Sequence, residues 1–237
     1  QVSFCEAVYE GTATVEGVTA ERIYTAKKQA VEEVLQRGHI PLLVDPDGRS
    51  IEVLKPDVVV DAIIAKKNLG TTKEMAPLVI GVGPGFTAGV DVDLVIESMR
   101  GHNLARILET GSALANTGIP GNIGGYTKER VIHAAAEGYM KNLHQIGDVV
   151  RKGEKIARIY EQMSPEGVFS GRFVSVEATI PGVLRGLIRE GYHFQKGFKI
   201  ADIDPREGEL ANCFTISDKA SSIGGSVLEA VCRYVNG

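Results

Sequence analysis

The chain has 237 residues, 43% of them hydrophobic, and a formal net charge of −4. A chain of this length buries roughly 70% of its unfolded surface, so we expect a sizeable core in one large or two small domains. The weakly acidic balance, without blocks of like charge, excludes an electrostatic case for binding nucleic acid or an anionic membrane. No apolar stretch approaches the ~20 residues of a membrane helix. Three widely spaced cysteines favour reduced thiols in a cytoplasm.

The first half of the chain alternates helical and strand patterns. Residues 25–37 place apolar side chains at helical spacing. Continuous β-branched runs at 56–64 and 77–83 are typical of buried parallel strands. Residues 90–98 and 104–109 predict the two strands of a hairpin. These patterns together predict an α/β layer structure.

Two features that follow the strand runs are candidates for holding an anion. The second run continues into a glycine-rich loop at 84–89, whose backbone N–H groups can face a phosphate. Its spacing departs from the common phosphate-binding motifs and Pro84 lacks a donor, so a tight structural turn is the alternative. Lys66, Lys67 and Asn68 follow the first run, where open sheets place ligands, and a solvated positive loop is the alternative there.

A domain boundary is expected in the second half of the chain. The glycine-rich segment 117–126 predicts a linker or a mobile binding loop. We therefore expect an α/β domain at 1–125, completed by a C-terminal helix at 208–237, and a second domain at 126–207. Ser217 is expected to cap the C-terminal helix.

The second domain contains an internal repeat with a period of 44 residues, within 130–204. Each copy has the pattern of short strands joined by glycine turns, which predicts a pseudo-twofold all-β sandwich. The identical pairs are Gly138/Gly182, Gly147/Gly191, Lys152/Lys196, Gly153/Gly197, Lys155/Lys199, Ile156/Ile200, Ala157/Ala201 and Ile159/Ile203.

This arrangement resembles the two halves of lipoyl and biotinyl carrier domains, which implies a barrel-sandwich hybrid fold. In such carriers a lysine in the segment joining the halves is modified. The joining segment here, 160–177, contains Met163 but no lysine. We therefore expect no covalently bound lipoyl group or biotin, and a rigid scaffold or docking role instead.

Cysteine and histidine offer few further sites. Cys213 is a candidate nucleophile for sulfur or selenium transfer, because a cysteine thiolate is the reactive group in such chemistry. The alternative is a small buried hydrophobic residue. The five histidines lack paired metal-ligand spacing, and no metal site is predicted.

Long gapless motifs give the chain a wider resemblance. Several segments are similar to those of selenium-dependent molybdenum hydroxylase system proteins of the YqeB type. They are FCEAVYEGTATVEGV, DVVVDAIIAKKN, MAPLVIGVGPGFTAGVDVDLVIES with the following RGH, GIPGNIGGYTKERV and CFTISDKA. The resemblance implies a bacterial, cytoplasmic accessory factor in the maturation of hydroxylases such as xanthine dehydrogenase. It also implies an initial glycine-rich nucleotide-binding segment, beyond which this chain begins. The expected fold class is therefore a truncated Rossmann-like α/β domain plus an all-β barrel-sandwich hybrid domain.

The resemblance also supplies candidate ligand-binding residues. The expected ligand is a nucleotide or a molybdenum-cofactor species, the expected partner is a molybdenum hydroxylase, and a homo-oligomer is left open. The alternatives are a Rossmann-like oxidoreductase, a selenium- or sulfur-transfer enzyme that uses Cys213, and an adaptor without a ligand. The residues that match the family motifs are Lys66, Lys67, Asn68, Gly83, Gly85, Phe86, Arg100 and His102.

Overall fold

The structure is a computed structural model that describes residues 3–118 and 121–237. The chain divides into two compact units. The mixed-sheet unit comprises Ser3–Thr117 and Ile216–Gly237, and the repeat unit comprises Gly118–Thr215. Ile119 and Pro120, which belong to the glycine-rich segment, lie outside the described residues.

The mixed-sheet unit contains short helices and three small sheets, ordered β1-β2-β3, β4-β5-β7-β8 and β6-β9. In the second sheet β4, β5 and β7 run parallel and β8 runs antiparallel to β7. The predicted helix, the two strand runs and the hairpin are confirmed as α2, β4, β5 and β7–β8. The elements are α1 (Ala7–Glu10), β1 (Thr12–Val15), β2 (Val18–Ile23), α2 (Lys28–Gln36), β3 (Ile40–Leu43), α3 (Arg49–Leu54), β4 (Val58–Asp61), β5 (Leu78–Val82), β6 (Thr87–Ala88), β7 (Leu94–Ile96), β8 (Ile107–Leu108), β9 (Gly111–Ser112) and α4 (Asp218–Asn236).

Strand β5 is buried on both faces, which explains its unbroken apolar sequence. On one face Ile80 belongs to a cluster with Ala230 of α4. On the other face Val79 belongs to a cluster with Phe86 and Val95. Each fully buried aliphatic side chain contributes roughly 1.5–3 kcal/mol, so β5 anchors the unit. The predicted cap of α4 is confirmed, because the Ser217 hydroxyl accepts a hydrogen bond from the Ala220 amide at 3.2 Å.

The repeat unit consists of two four-stranded antiparallel sheets, ordered β10-β17-β15-β12 and β14-β13-β11-β16. Both sheets contribute to one cluster of buried side chains, which includes Met140, Ile159, Leu184 and Ile203. The strands are β10 (Val131–His133), β11 (Gly138–Asn142), β12 (Val149–Val150), β13 (Lys155–Met163), β14 (Phe169–Glu177), β15 (Gly182–Leu187), β16 (His193–Phe194) and β17 (Lys199–Asp204).

The internal repeat is visible in the spacing of these strands. β11, β12 and β13 begin at 138, 149 and 155, and β15, β16 and β17 begin 44 residues later, at 182, 193 and 199. Strands also pair across the copies, because β16 joins β11 and β12 joins β15. The two copies therefore interlock and share one core.

The expected fold class is wrong. A Rossmann-like sheet needs helices that cross between parallel strands, but the connection from β5 to β7 contains the short strand β6. Pro84 and the glycines around it disfavour a helix in that connection. The sheet also ends in the antiparallel strand β8, and β1–β3 form a separate sheet. The described chain is a set of small mixed and antiparallel sheets, not a Rossmann-like domain joined to a barrel-sandwich hybrid domain.

Two equivalent glycines permit close contact between neighbouring strands. A Cβ atom on Gly182 would contact the carbonyl group of Asp204 and lie 2.9 Å from the Pro205 Cα atom. Gly138 is the equivalent residue in the first copy, and a Cβ atom on it would contact the carbonyl group of Tyr160. Backbone atoms within a sheet cannot move aside as a flexible side chain could, so both positions require glycine.

Replacement of Gly182 by alanine is expected to lower the free energy of unfolding by at least ~2 kcal/mol, through backbone contact and strain. Gly197→Ala is the matched control, because Gly197 also has a positive φ (+86°) but no atom within 4 Å of its would-be Cβ. The control substitution should lower the free energy of unfolding by only ~1 kcal/mol. Urea unfolding of both variants measures the difference, and equal losses would contradict the contact.

Asp204 at the end of β17 is the centre of a buried ion cluster. Its carboxylate accepts hydrogen bonds from Arg206 Nε and Nη2 at 2.9 and 2.8 Å and from Arg185 Nη1 at 3.0 Å. Burial alone would raise the pKa of this carboxyl, but the hydrogen bonds from Arg206 and Arg185 outweigh it and lower the pKa to about 2. The ionised carboxylate therefore stabilises the folded state.

The stabilisation from Asp204 should disappear in acid. Because its folded pKa is about 2 against an ordinary 3.8, the contribution is full above about pH 4 and is lost as the pH falls towards about 2. The difference corresponds to about 2 kcal/mol. Urea unfolding between pH 6 and 2 should show this loss in the wild type beyond that in Asp204→Asn. Parallel pH profiles for the two proteins would contradict the account.

Candidate functional site

Three parallel strands bring most of the predicted ligand-binding residues to one edge of a sheet. In the register of the sheet Asp61 lies opposite Gly81, and Val82 lies opposite Ile96, so β4, β5 and β7 end together. The loops that follow these strands carry Lys66–Asn68, Gly83–Phe86 and Arg100 respectively. This carboxyl edge is where open parallel sheets usually bind ligands.

The loop after β4 is fixed by its own polar side chains. Asn68 Oδ1 accepts hydrogen bonds from the amides of Gly70 and Thr71, each at 2.8 Å, and Asn68 Nδ2 donates to the Thr71 carbonyl. Buried Asp61 accepts from Thr71 Oγ1 at 2.6 Å. Asn68 thus shapes the loop, while Lys66 and Lys67 are exposed on it.

The glycine-rich loop after β5 lies between its two neighbours. A Cβ atom on Gly85 would be 2.6 Å from the Cα atom of Lys67, and one on Gly83 would be 2.6 Å from Ser98 Oγ. Phe86 is 4% exposed and packs over Gly81, so it is a core residue of this loop. The loops after β4, β5 and β7 therefore form one continuous surface.

The start of α4 adds a lysine that the sequence analysis did not single out. Arg100 Nη1 and Nη2 donate to the two carboxylate oxygens of Asp218 at 2.7 and 2.8 Å, which fixes the first turn of α4 at the loop after β7. Lys219, the next residue, is half-buried there. The motif CFTISDKA contains Lys219 and was the available signal.

Lys219 lies in a positive environment. Burial lowers the pKa of its ammonium group, and the nearby charges of Arg100 and Lys66 lower it further, against the opposing effect of Glu97. Among the described residues no salt bridge involves Lys66 or Lys219. Lys66 and Lys219 are cations that repel one another, and an anion would relieve this repulsion; Arg100, although paired with Asp218, adds to the positive field. We call Lys66, Lys67, Arg100 and Lys219 the cationic cluster.

Glu97 is the buried acid beside this cluster. It is 3% exposed, and its two carboxylate oxygens accept hydrogen bonds from the amides of Met99 and Leu114 at 2.7 and 2.8 Å. One oxygen thus holds the chain that leaves β7, and the other holds the segment that follows β9. Glu97 offsets part of the positive charge and positions the loop that carries Arg100.

The last two predicted site residues do not join the cluster. His102 is exposed in the turn after Arg100, and no hydrogen bond links it to the cluster within the described part of the chain. Cys213 belongs to the repeat unit, where it is 1% exposed and burial raises the pKa of its thiol. A reactive thiolate needs access and a lowered pKa, so the surroundings of Cys213 are those of a structural cysteine.

A large cleft lies at the opposite, amino edge of the same strands. It has a volume of about 840 Å³ and is bordered by α3, by Asp57 before β4 and by Pro77 before β5. Acidic and basic side chains alternate along it, and Arg49 already pairs with Asp47 at 3.0 Å. The cleft therefore carries charges of both signs, whereas the side chains gathered at the carboxyl edge are mainly positive.

The described ranges, 3–118 and 121–237, contain neither a metal cluster nor a membrane-spanning helix. No group of three or more histidine, cysteine or acidic side chains there could hold a metal ion. No described helix is long and apolar enough to span a bilayer.

The fold and the cationic cluster define a protein with a candidate anion site on a small mixed sheet.

No protein-family profile matches the chain. It is 48% identical over 235 residues to the uncharacterized protein YqeB of Escherichia coli strain K12, across 99% of the chain and 41% of that protein. This identity supports the expectation of a YqeB family member. The chain spans about two fifths of the length of that relative.

Solved structures resemble the chain only distantly. An aspartoacylase family protein from Mesorhizobium loti has a TM-score of 0.29 at 14% identity. The match covers 33% of this chain and 24% of the Mesorhizobium protein. The ectoine utilization protein EutE from Ruegeria pomeroyi has a TM-score of 0.26 at 16% identity and covers 42% of this chain and 28% of its own. A succinylglutamate desuccinylase/aspartoacylase from Rhodobacter sphaeroides has a TM-score of 0.26 at 17% identity. That match covers 42% of this chain and 30% of the Rhodobacter protein. Such low scores support no functional argument.

Proposed function

We propose that the chain is part of an accessory protein for molybdenum hydroxylases, and that its mixed-sheet unit binds a phosphate-bearing cofactor at the cationic cluster. The observation that supports this most directly is the geometry of the carboxyl edge, where the loop of Lys67 packs against Gly85 and Arg100 holds the first turn of α4. Half-buried Lys219 in that turn has no salt bridge among the described residues. Leaving such a charge unpaired is unfavourable, and a bound anion would remove the cost.

A phosphate group suits this position for three reasons. Gly83 and Gly85 have no side chains, so an anion can approach the backbone at the start of the glycine-rich loop. Lysines bind phosphates as point charges, and Lys66 and Lys67 are exposed at the same edge. Helix α4 directs its N-terminus towards the loop that holds Arg100, which favours negative charge there. Nucleotides and molybdenum-cofactor species both contain phosphate.

The accessory role and the repeat unit complete the proposal. The proposed accessory role rests on the resemblance of the sequence motifs to those of selenium-dependent molybdenum hydroxylase system proteins, and in this proposal the repeat unit docks the hydroxylase. The alternative of thiol-based transfer is not favoured, because Cys213 is buried with a raised pKa.

Binding of pyrophosphate and of a nucleoside diphosphate, measured by calorimetry at low salt, tests the cofactor site. Lys219→Met and Lys66→Met should each weaken binding at least about tenfold, because each removes a charge that faces the anion. Lys219→Arg keeps the positive charge and should retain most of the binding affinity. Binding should also weaken as the pH rises and Lys219 loses its proton, at a pH below the ordinary lysine range.

The matched control is Lys28→Met, a lysine of the same unit that is 81% exposed and far less confined. It should bind as the wild type does. Equal affinities for all variants, or a loss that follows Arg49→Met in the amino-edge cleft instead, would contradict the proposed site.

A further inference from the structure

The outer face of one sheet in the repeat unit combines aromatic rings with cations. Along β13 the inward residues Ala157 and Ile159 are buried, and Arg158 and Tyr160 alternate with them on the other face. Lys141 of β11 lies opposite Arg158, and Phe173 of β14 lies opposite Tyr160. We call Lys141, Arg158, Tyr160, Phe169 and Phe173 the aromatic–cation face.

The rings form a connected platform beneath the two cations. Tyr160 lies 5.4 Å from Phe169 and 5.2 Å from Phe173 between ring centroids. The Arg158 guanidinium is 4.7 Å above the Phe173 ring, and Lys141 Nζ is 5.2 Å above the Phe169 ring. Stacking of this kind holds the plane of a guanidinium against the ring and leaves the N–H groups at its edge free to bind a partner.

Arg158 has unused hydrogen-bonding capacity. Its Nη1 reaches only the Tyr160 hydroxyl at 3.5 Å, the limit of a hydrogen bond, so the unused capacity lies at the terminal guanidinium nitrogens; the Nε is buried without an acceptor. No carboxylate pairs with it among the described residues, whereas Lys141 pairs with Glu190 at 2.8 Å. A planar guanidinium in this state suits a carboxylate, which can accept two parallel hydrogen bonds.

The same face borders an exposed strand edge. β14 is the outermost strand of its sheet and is nine residues long, and Phe173 on it is 47% exposed. An outermost strand presents unpaired backbone groups to which an extended segment can add. An apolar ring, an unpaired guanidinium and an open strand edge therefore meet within one small area.

We infer that the aromatic–cation face and the edge of β14 bind an extended acidic segment of a partner protein. Backbone pairing with β14 gives the segment its direction, a carboxylate pairs with Arg158, and an apolar side chain covers Phe173. The inference deepens the docking role in the proposed function and rests on that role. Its test, however, needs neither the hydroxylase nor the cofactor.

Fluorescence anisotropy with a labelled peptide of alternating glutamate and valine tests the inference directly. The peptide should bind the wild type, and Arg158→Gln and Phe173→Ser should each weaken it at least about tenfold. The peptide affinity of Arg158→Lys should lie between those of the wild type and Arg158→Gln, because lysine keeps the charge but lacks the planar guanidinium. Arg172→Gln is the matched control, since Arg172 is next to Phe173 on β14, 91% exposed and already paired with Glu161.

The inference would be overturned if a lysine–valine peptide bound equally well, or if both Arg158 variants bound the acidic peptide as the wild type does. Tighter binding of a thymidine oligonucleotide would also overturn it and would indicate a nucleic-acid platform instead. Thermal melts verify that the variants fold. If the peptide fails to bind while pyrophosphate still binds, the docking surface is wrong and the proposed cofactor site stands.

Discussion

The contact between Gly85 and the backbone of Lys67 determines much of the mixed-sheet unit. At this point two loops from neighbouring parallel strands approach so closely that a single added methyl group would lie 2.6 Å from a Cα atom. The loop after β4 is rigid because Asn68 and Asp61 use their polar atoms within it. The loop after β5 must therefore conform to that shape, and the positions of the lysines follow from it.

The apolar core explains why this edge can be built so tightly. β5 is covered on one face by α4 and on the other by the cluster around Phe86 and Val95, so its carboxyl end is held from both sides. The Arg100–Asp218 pair then fixes the first turn of α4 to the same edge. An exposed pair of this kind adds little stability by itself, so we assign it a positioning role for Lys219.

The sequence predicted local features better than their arrangement. The buried runs that became β4 and β5, the cap at Ser217 and the hairpin of β7 and β8 all have strong local signals in spacing and residue type. The Rossmann-like expectation failed because the connection after β5 has no helix, and a strand run alone does not reveal its connection. Lys219 was missed because its importance comes from Arg100, which is distant in sequence and close in space. Phe86 and Asn68 were given as ligand contacts, yet their side chains are used within the core and the loop.

Amide chemical shifts during a pyrophosphate titration of the ¹⁵N-labelled protein test the central claim, which is that the anion site is the carboxyl edge of β4, β5 and β7. We predict that the largest shifts occur at Lys67, Gly83, Gly85 and Lys219, with smaller changes elsewhere. Shifts concentrated in α3 and in the residues before β5, around the amino-edge cleft, would contradict the account.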